Sequence, residues 1–372
     1  MRQQRSLRVG MLAPISWPVP PAGYGPWEQV VYNLTEELVA LGHEVTLFAA
    51  GGSRTAARLH VTCPHPLGAW PEAERNRPRT FDPRTGHLEG PPDPRVWETC
   101  HIAACMEQAA AGAFDILHSH LHVHALAFSR LVPCPVVSTL HGAAWVRSSH
   151  PLFLAYREQP FVSLSDAERQ LCPSLNYVAT VHNGVRVDDF PYEKDKEDYL
   201  LFAGRLAPEK GAAEAVEVAR RTGRRLKIAG MIEPQHRSYF ETQVKPYLAE
   251  GRIEYLGLLS QADLAPVYRR AAAVLFLINW CEPCSMVGIE AQASGTPLIG
   301  TRYGYLPEII RDGETGYLVD GVEQACAAVD RLGAIDPAAC RRNVVERFSA
   351  PVMARRYEHV YRTLVEANAS AA

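Results

Sequence analysis

The sequence contains no run of the roughly 18 apolar residues that a membrane-crossing helix needs, so no integral membrane segment is expected. It also lacks a basic excess. Lys and Arg total 38 against 41 Asp and Glu, a formal charge of −3. That balance excludes nucleic acid as the main partner and weighs against a basic membrane-surface protein. The start offers no signal-peptide pattern, because the charged stretch Met1–Arg8 leads into a run interrupted by Pro14, Pro18, Pro20 and Pro21. The nine cysteines are scattered and odd in number. Cys281 and Cys284 have CxxC spacing, but no second pair completes a zinc site. The expectation is therefore a metal-free cytoplasmic protein with reduced, buried thiols. Low-complexity repeats, a Gly-x-Ser-x-Gly elbow, a P-loop and a zinc-protease helix are all missing.

Apolar residues are plentiful, at 47% of 372, enough to bury two cores. Short apolar runs alternate with helical patterns, which predicts α/β architecture with parallel sheets. Leu7–Ala13 reads as a strand buried on both faces. Trp27–Leu41 has helical spacing of Val30, Val31, Leu34 and Leu38, with Gly42 as a C-terminal cap. Further strands are expected at His43–Ala49, Asp115–His118 and Pro135–Leu140. A second series follows at Tyr199–Ala203, Leu226–Ala229, Ile253–Leu256, Ala273–Ile278 and Pro297–Gly300. Between the series, the charged, proline-containing stretch Asp188–Asp198 reads as a linker. Residues 64–95, rich in Pro, Arg and Gly with Trp70 and Trp97 nearby, read as a long loop: a surface insertion or an acceptor lid. The chain closes with a helical pattern, Pro351–Ala367. The fold expected is two doubly wound, Rossmann-like domains with a cleft at the carboxyl ends of their strands.

Three motifs carry chemistry. Gly23-Tyr24-Gly25-Pro26 follows the first strand and opens a helix, where glycines permit close backbone approach and the helix start offers N–H groups to an anion. It is not a full GxGxxG, so no nicotinamide cofactor is expected; the alternative reading is a simple turn and cap. Phe202-Ala203-Gly204-Arg205, followed by Pro208-Glu209-Lys210-Gly211, puts two cations five residues apart after a strand. Arg offers a bidentate fork and Lys a point charge, which suits a diphosphate; a solvated surface is the alternative. Glu282 to Glu290 sets one carboxylate ahead of a helix expected near Ser285–Ala293 and another inside it. The first-turn N–H groups can take phosphate oxygens, and carboxylates accept sugar hydroxyls. A capping acid with a helix-surface Glu is the other reading.

Together these segments resemble the retaining, GT-B-fold glycosyltransferases of family GT4, with a metabolite- or antibiotic-tailoring member in view. The resemblance also includes Gly42-His43-Glu44-Val45, Asp115-Ile116-Leu117-His118, Thr139-Leu140-His141-Gly142 and His182-Asn183-Gly184-Val185. It continues through Pro307-Glu308-Ile309-Ile310, Asp312-Gly313 and Gly316-Tyr317-Leu318-Val319. It implies an N-terminal acceptor domain over residues 1–187, a C-terminal donor domain over 188–351, and a last helix, about 352–372, packing on the N-terminal domain. By the same resemblance Arg205 and Lys210 bind the donor diphosphate and Glu290 the ribose hydroxyls. Glu282 contacts the transferred sugar, near the backbone of Ser285, Met286 and Val287. His141 lies beside that sugar, Gly23, Tyr24 and Gly25 close over the phosphates, and Gly204 and the Leu258 backbone complete the donor set. The catalytic set is then His141, Arg205, Lys210 and Glu282, with no metal and no cofactor beyond the nucleotide-sugar cosubstrate. A UDP-sugar is favoured over a GDP-sugar, and a soluble small molecule or saccharide is the expected acceptor.

Two departures stand out. Relatives usually have Phe-Gly where this chain has Cys284-Ser285, and Gly-Thr where it has Pro26-Trp27. Trp27 is an acceptor candidate through stacking, together with Trp145, His118 and His120. The alternating His118, His120, His122 and His124 straddle a strand end and a loop, so they are not expected to converge on a metal. Trp280 reads as loop packing before a sugar platform. Rival readings are a sugar-nucleotide epimerase or phosphorylase on the same architecture, and a non-catalytic nucleotide-sugar-binding protein.

Overall fold

The structure is a computed structural model and describes residues 5–69, 80–89, 93–121, 123–142 and 150–371. The chain divides into two units. The first comprises Met1–Val162, Ser174–Ala179 and Arg356–Ala372, and the second Ser163–Pro173 and Thr180–Arg355.

The strands up to residue 180 are β1 (Arg8–Leu12), β2 (Glu44–Ala50), β3 (Arg58–Cys63), β4 (Thr80–Asp82), β5 (His87–Glu89), β6 (Ile116–Ser119), β7 (Val136–Thr139), β8 (Phe161–Ser163) and β9 (Tyr177–Thr180), the last residue of each of β8 and β9 falling in the second unit. Among the described residues, seven of them form one sheet in the order β3-β2-β1-β6-β7-β8-β9. Strand β1 lies parallel between β2 and β6. The order reverses there, so the loops after β1 and β6 open at a topological switch point. The helix Pro26–Ala40 has Pro26 at its first position and buries Val30, Val31, Leu34 and Leu38. On another side of the sheet Ile102 and Met106, from the helix Pro94–Ala110, pack with Phe48, Phe114 and Leu117.

In the second unit the strands are β10 (Tyr199–Ala203), β11 (Arg225–Ala229), β12 (Ile253–Gly257), β13 (Ala273–Phe276), β14 (Leu298–Thr301) and β15 (Gly316–Val319). Their order is β12-β11-β10-β13-β14-β15. Every residue of β10 and β13 is buried, as a parallel sheet covered on both faces requires. The switch point falls between β10 and β13, which pair in parallel. The short helix Met286–Ala293 is almost wholly buried. Asn343 donates to Gln292 at 2.8 Å and Arg341 to the Ala293 carbonyl at 2.6 Å, which fastens that helix to the helix Pro337–Arg347.

Both sheets have the parallel, doubly wound character read from the pattern. The strands that escaped it are short or at an edge. β3 alternates polar residues on a half-exposed edge, and β8 has three residues. The stretch 188–198 is not a linker. Phe190 is buried, Glu197 N donates to the Arg270 carbonyl at 2.7 Å, and Lys196 Nζ donates to the carbonyls of Arg269 and Ser294. Those bonds make it part of the second unit. The boundary expected at 187 also shifts, since Ser163–Pro173 and Thr180–Val187 belong to the second unit. Glu308 holds both segments, accepting from Asp166 N, Ala167 N and His182 Nε2 at 3.1, 3.0 and 2.8 Å. Within 64–95 the antiparallel pair β4–β5 replaces part of the expected loop, and Trp97 packs beside Ile15 and Cys63. Trp70 lies outside the described residues.

The final helix, Ala350–Ala371, enters the first unit from Arg356 onward. There Tyr361 Oη lies 2.6 Å from His118 Nδ1, and Tyr357 Oη lies 2.8 Å from Thr139 Oγ1. Thr139 Oγ1 is also 2.7 Å from His118 Nε2. No helix among the described residues is long and apolar enough to cross a membrane. Tyr361→Phe strands the buried Nδ1 of His118, and chemical unfolding should register a loss of about 1–3 kcal/mol.

Candidate functional site

In the second unit the loops after β10 and β13 meet at the switch point. Arg205 and Lys210 come from the first loop and Glu282 from the second. The Lys210 ammonium contacts the Glu282 carboxylate, both side chains being about nine-tenths buried. It also lies 4.7 Å from the centroid of the Trp280 ring, so Trp280 serves as a platform for the lysine through a cation–π contact.

Two close backbone approaches hold this pair. Gly211 has φ 83°, and a Cβ there would collide with the Leu277 carbonyl at the end of β13. Gly304 has φ 56°, and its Cβ would lie 2.5 Å from both Glu282 N and Glu282 O. Tyr305 N donates to the Glu282 carbonyl at 3.1 Å. Only glycine accepts both the backbone conformation and the proximity.

Glu290 lies in the helix Met286–Ala293, behind Ser285 as N-cap. Its carboxylate accepts from Gln261 Nε2 at 2.8 Å and from Tyr268 Oη at 3.1 Å. Burial pushes this carboxyl above its ordinary range, while both hydrogen bonds favour the charged form. The Ser285 hydroxyl does not cap the helix. The turn before it is pinned by two donors instead: Asn183 Nδ2 to the Cys284 carbonyl at 2.7 Å, and Tyr305 Oη to the Ser285 carbonyl at 3.1 Å. Met286 and Val287 open that helix. Gly204 N donates to the Ala229 carbonyl at 2.9 Å. Leu258, just past β12, is exposed.

Arg205 is held by two acids. Its guanidinium donates to Glu233 at 2.6 Å and to Glu209 at 3.4 Å. Glu233 escaped the sequence reading because it stands in an ordinary loop beyond β11 with no motif around it. Asn183, Tyr305 and Gln261 were likewise invisible as site neighbours, and Trp280, read as loop packing or a sugar platform, gave no sign of its contact with Lys210. Their contacts span up to 101 positions in the case of Asn183 and Cys284.

The first unit gathers another group. His141 Nε2 lies 2.9 Å from His120 Nδ1, and the Trp27 ring is 5.6 Å from that of His141. Trp27 is exposed, at 41%, and can offer a face to a ligand. His118 cannot take the acceptor role expected of it. It is fully buried and both ring nitrogens face side-chain partners, and burial drives its pKa down to about 3. His120 is also buried, and reaches His141 rather than solvent. Trp145 and His122 lie outside the described residues. His124 pairs with Glu98 at 2.8 Å. Among the described residues no three His, Cys, Asp or Glu side chains form a metal-binding group.

Gly23 is exposed, Tyr24 half-buried and Gly25 buried, ahead of the helix they introduce. Glu28, in that helix's first turn, accepts from Trp17 N at 3.1 Å and thereby ties the loop down.

The second unit sets Lys210 against Glu282 shortly before a helix start, with Arg205 on the same loop as Lys210, groups that can neutralise an anion and accept hydroxyl groups. Two units of parallel α/β type, each with its loops at a switch point, have the architecture of the GT-B glycosyltransferases. Residues 27–192 match the family described as Glycosyltransferase Family 4, and residues 186–335 match Glycosyl transferases group 1. The chain belongs to this family, the GT4 glycosyltransferases. Glycogen synthase of Mycobacterium tuberculosis (strain CDC 1551 / Oshkosh) is 27% identical over 88% of this chain and 87% of its own length. Sucrose-phosphate synthase from Thermosynechococcus elongatus has a similar structure, with a TM-score of 0.75 over 98% of this chain and 100% of that one, at 20% identity. Anabaena Alr3699/HepE, solved with UDP-glucose, has a TM-score of 0.69 over 96% of this chain and 100% of that one, at 14% identity.

Glu28 sets a pH dependence. Burial raises its pKa from 4.5 to about 7. Between these values the folded state binds more protons than the unfolded one, so stability falls as pH rises through the window. Glu28→Gln should remove that slope. Urea midpoints of both proteins at intervals from pH 5 to pH 8 test it, and parallel curves would count against the assignment.

Proposed function

We propose that the protein transfers a sugar from a nucleotide diphosphate donor to a hydroxyl of a soluble acceptor, with retention of anomeric configuration and without a metal ion. The observation that carries this reading is the meeting of Lys210 with Glu282, just ahead of the helix Met286–Ala293, at the β10/β13 switch point, with Arg205 on the same loop as Lys210. Breaking the bond between the anomeric carbon and the diphosphate leaves negative charge on the β-phosphate. Arg205, Lys210 and the helix N-terminus supply charge compensation for that oxygen, which is the task a metal would otherwise perform.

Glu290, with its orientation held by Gln261 and Tyr268, is assigned to the ribose hydroxyls, and Glu282 to the transferred sugar. Gly204, Ser285, Met286, Val287 and the Leu258 backbone complete the donor set. From the first unit, His141 and the loop Gly23-Tyr24-Gly25 are assigned to the reaction, and exposed Trp27 to the acceptor. Uridine is favoured as the donor base over guanosine, a choice supported by the UDP-glucose complex of the Anabaena neighbour. The nine cysteines are all free, which supports a reducing, cytoplasmic setting.

Arg205→Ala or Lys210→Ala should each cut turnover by about a hundredfold or more, the cost of one lost charge-stabilising donor. Turnover like that of the wild type in either variant would reject the assignment. NMR of the product should show the donor's anomeric configuration preserved; inversion rejects retention. In a thermal-shift panel of UDP- and GDP-sugars, the UDP series should stabilise the protein more, because a bound donor stabilises according to its concentration over its Kd.

A further inference from the structure

The positive charge of the donor site is already matched by acids of the protein itself. Around Arg205 and Lys210 stand Glu233, Glu209 and Glu282, so two cations face three carboxylates. A guanidinium presents the same planar fork to a carboxylate as to a phosphate. The fork of Arg205 that would grip a diphosphate is therefore engaged by side chains of the protein.

The two acids on Arg205 differ. Glu209 belongs to the same loop as Arg205, four residues on, and its contact is the longer at 3.4 Å. Glu233 comes from a separate loop, four residues past the end of β11, and its contact is 2.6 Å. The Arg205 and Glu233 side chains are 27% and 24% exposed, so neither is sealed inside the fold. His236 Nε2 stands 3.9 Å from the same Glu233 oxygen and offers the carboxylate a second neighbour. A partly exposed pair of this kind can open at modest cost, whereas Lys210 and Glu282 are buried together.

We propose that Glu233 occupies the phosphate-binding face of Arg205 and is exchanged for the donor's diphosphate. The carboxylate keeps the guanidinium extended and ordered while the site is empty. It also competes with the nucleotide, weakening its binding and easing release of the nucleoside diphosphate product. This inference rests on the reading of Arg205 as a diphosphate ligand.

Titration calorimetry with UDP and with GDP tests it on four proteins: the wild type, Glu233→Gln, Arg205→Ala and the double variant. Glu233→Gln should tighten binding of the nucleotide about threefold to tenfold, the scale of one partly exposed ion pair. Arg205→Ala should weaken binding, and in that background Glu233→Gln should lose its effect. A merely structural role for Glu233 predicts the opposite sign, weaker binding on substitution, in either background. In donor hydrolysis, Glu233→Gln should lower KM without raising kcat. Glu233→Asp, which keeps the charge but shortens the reach, serves if the Gln variant fails to fold, and should tighten binding less than removal of the charge. Unchanged or weaker binding in both Glu233 variants, with Arg205→Ala still weakened, overturns the competition alone. Binding that Arg205→Ala leaves untouched, or no binding of either nucleotide, overturns the diphosphate reading and this inference with it.

Discussion

A lysine ammonium taken out of water needs a compensating charge, and at Lys210 the Glu282 carboxylate provides it, with the Trp280 ring alongside. This contact joins the loop after β10 to the loop after β13, the two strands on either side of the switch point. Other features follow from it. Gly211 must lack a Cβ so that the two loops can approach, and Gly304, beyond β14, so that its own segment can pass close to Glu282. The turn leading into the helix Met286–Ala293 is then held by Asn183 and Tyr305, which sets where that helix begins. The ion pair thus organises the second unit's site as well as supplying its charges.

The first unit solves a different problem of burial. His118 has no access to solvent and is kept in its low-dielectric surroundings by Tyr361 and Thr139, with Tyr357 bonded to the same threonine. Burial disfavours its charged form, so the imidazole acts as a neutral connector between the sheet and the final helix. The neighbouring pair of His120 and His141 sits one step further along the loops, against exposed Trp27. Three histidines that look alike in the sequence therefore divide into one that fastens a helix and two that form a polar group beside an aromatic surface.

Family membership rests on the matches over residues 27–192 and 186–335. Lys210, Glu282 and Glu290 suit the general chemistry of the family. Cys284-Ser285, read in the sequence as a departure from the family's usual Phe-Gly, lies within the same segment. Cys284 is buried and its thiol is pushed up by that burial, so it acts as a small apolar side chain filling space. Ser285 is half-buried at the helix start and does not cap it.

Much of the architecture was legible in the sequence because parallel strands buried on both faces leave continuous apolar runs, as in Tyr199–Ala203, whose bounds match β10. The places of the glycine, Arg-Lys and Glu-Glu motifs, on loops after strands or at a helix start, were legible too, since each motif is short in sequence. Edge strands such as β3 were not, because a half-exposed strand alternates with polar residues and resembles a loop. Nor was the fate of 188–198, whose charges suggest a linker although Lys196 satisfies the carbonyls of Arg269 and Ser294. Tertiary structure alone decided that Glu233 meets Arg205, that Trp280 lies beside Lys210, and that His118 is sealed against Tyr361. The physical reason is common to all three: they are side-chain contacts between distant segments, and local pattern records which residues can pair but not which ones folding brings within reach.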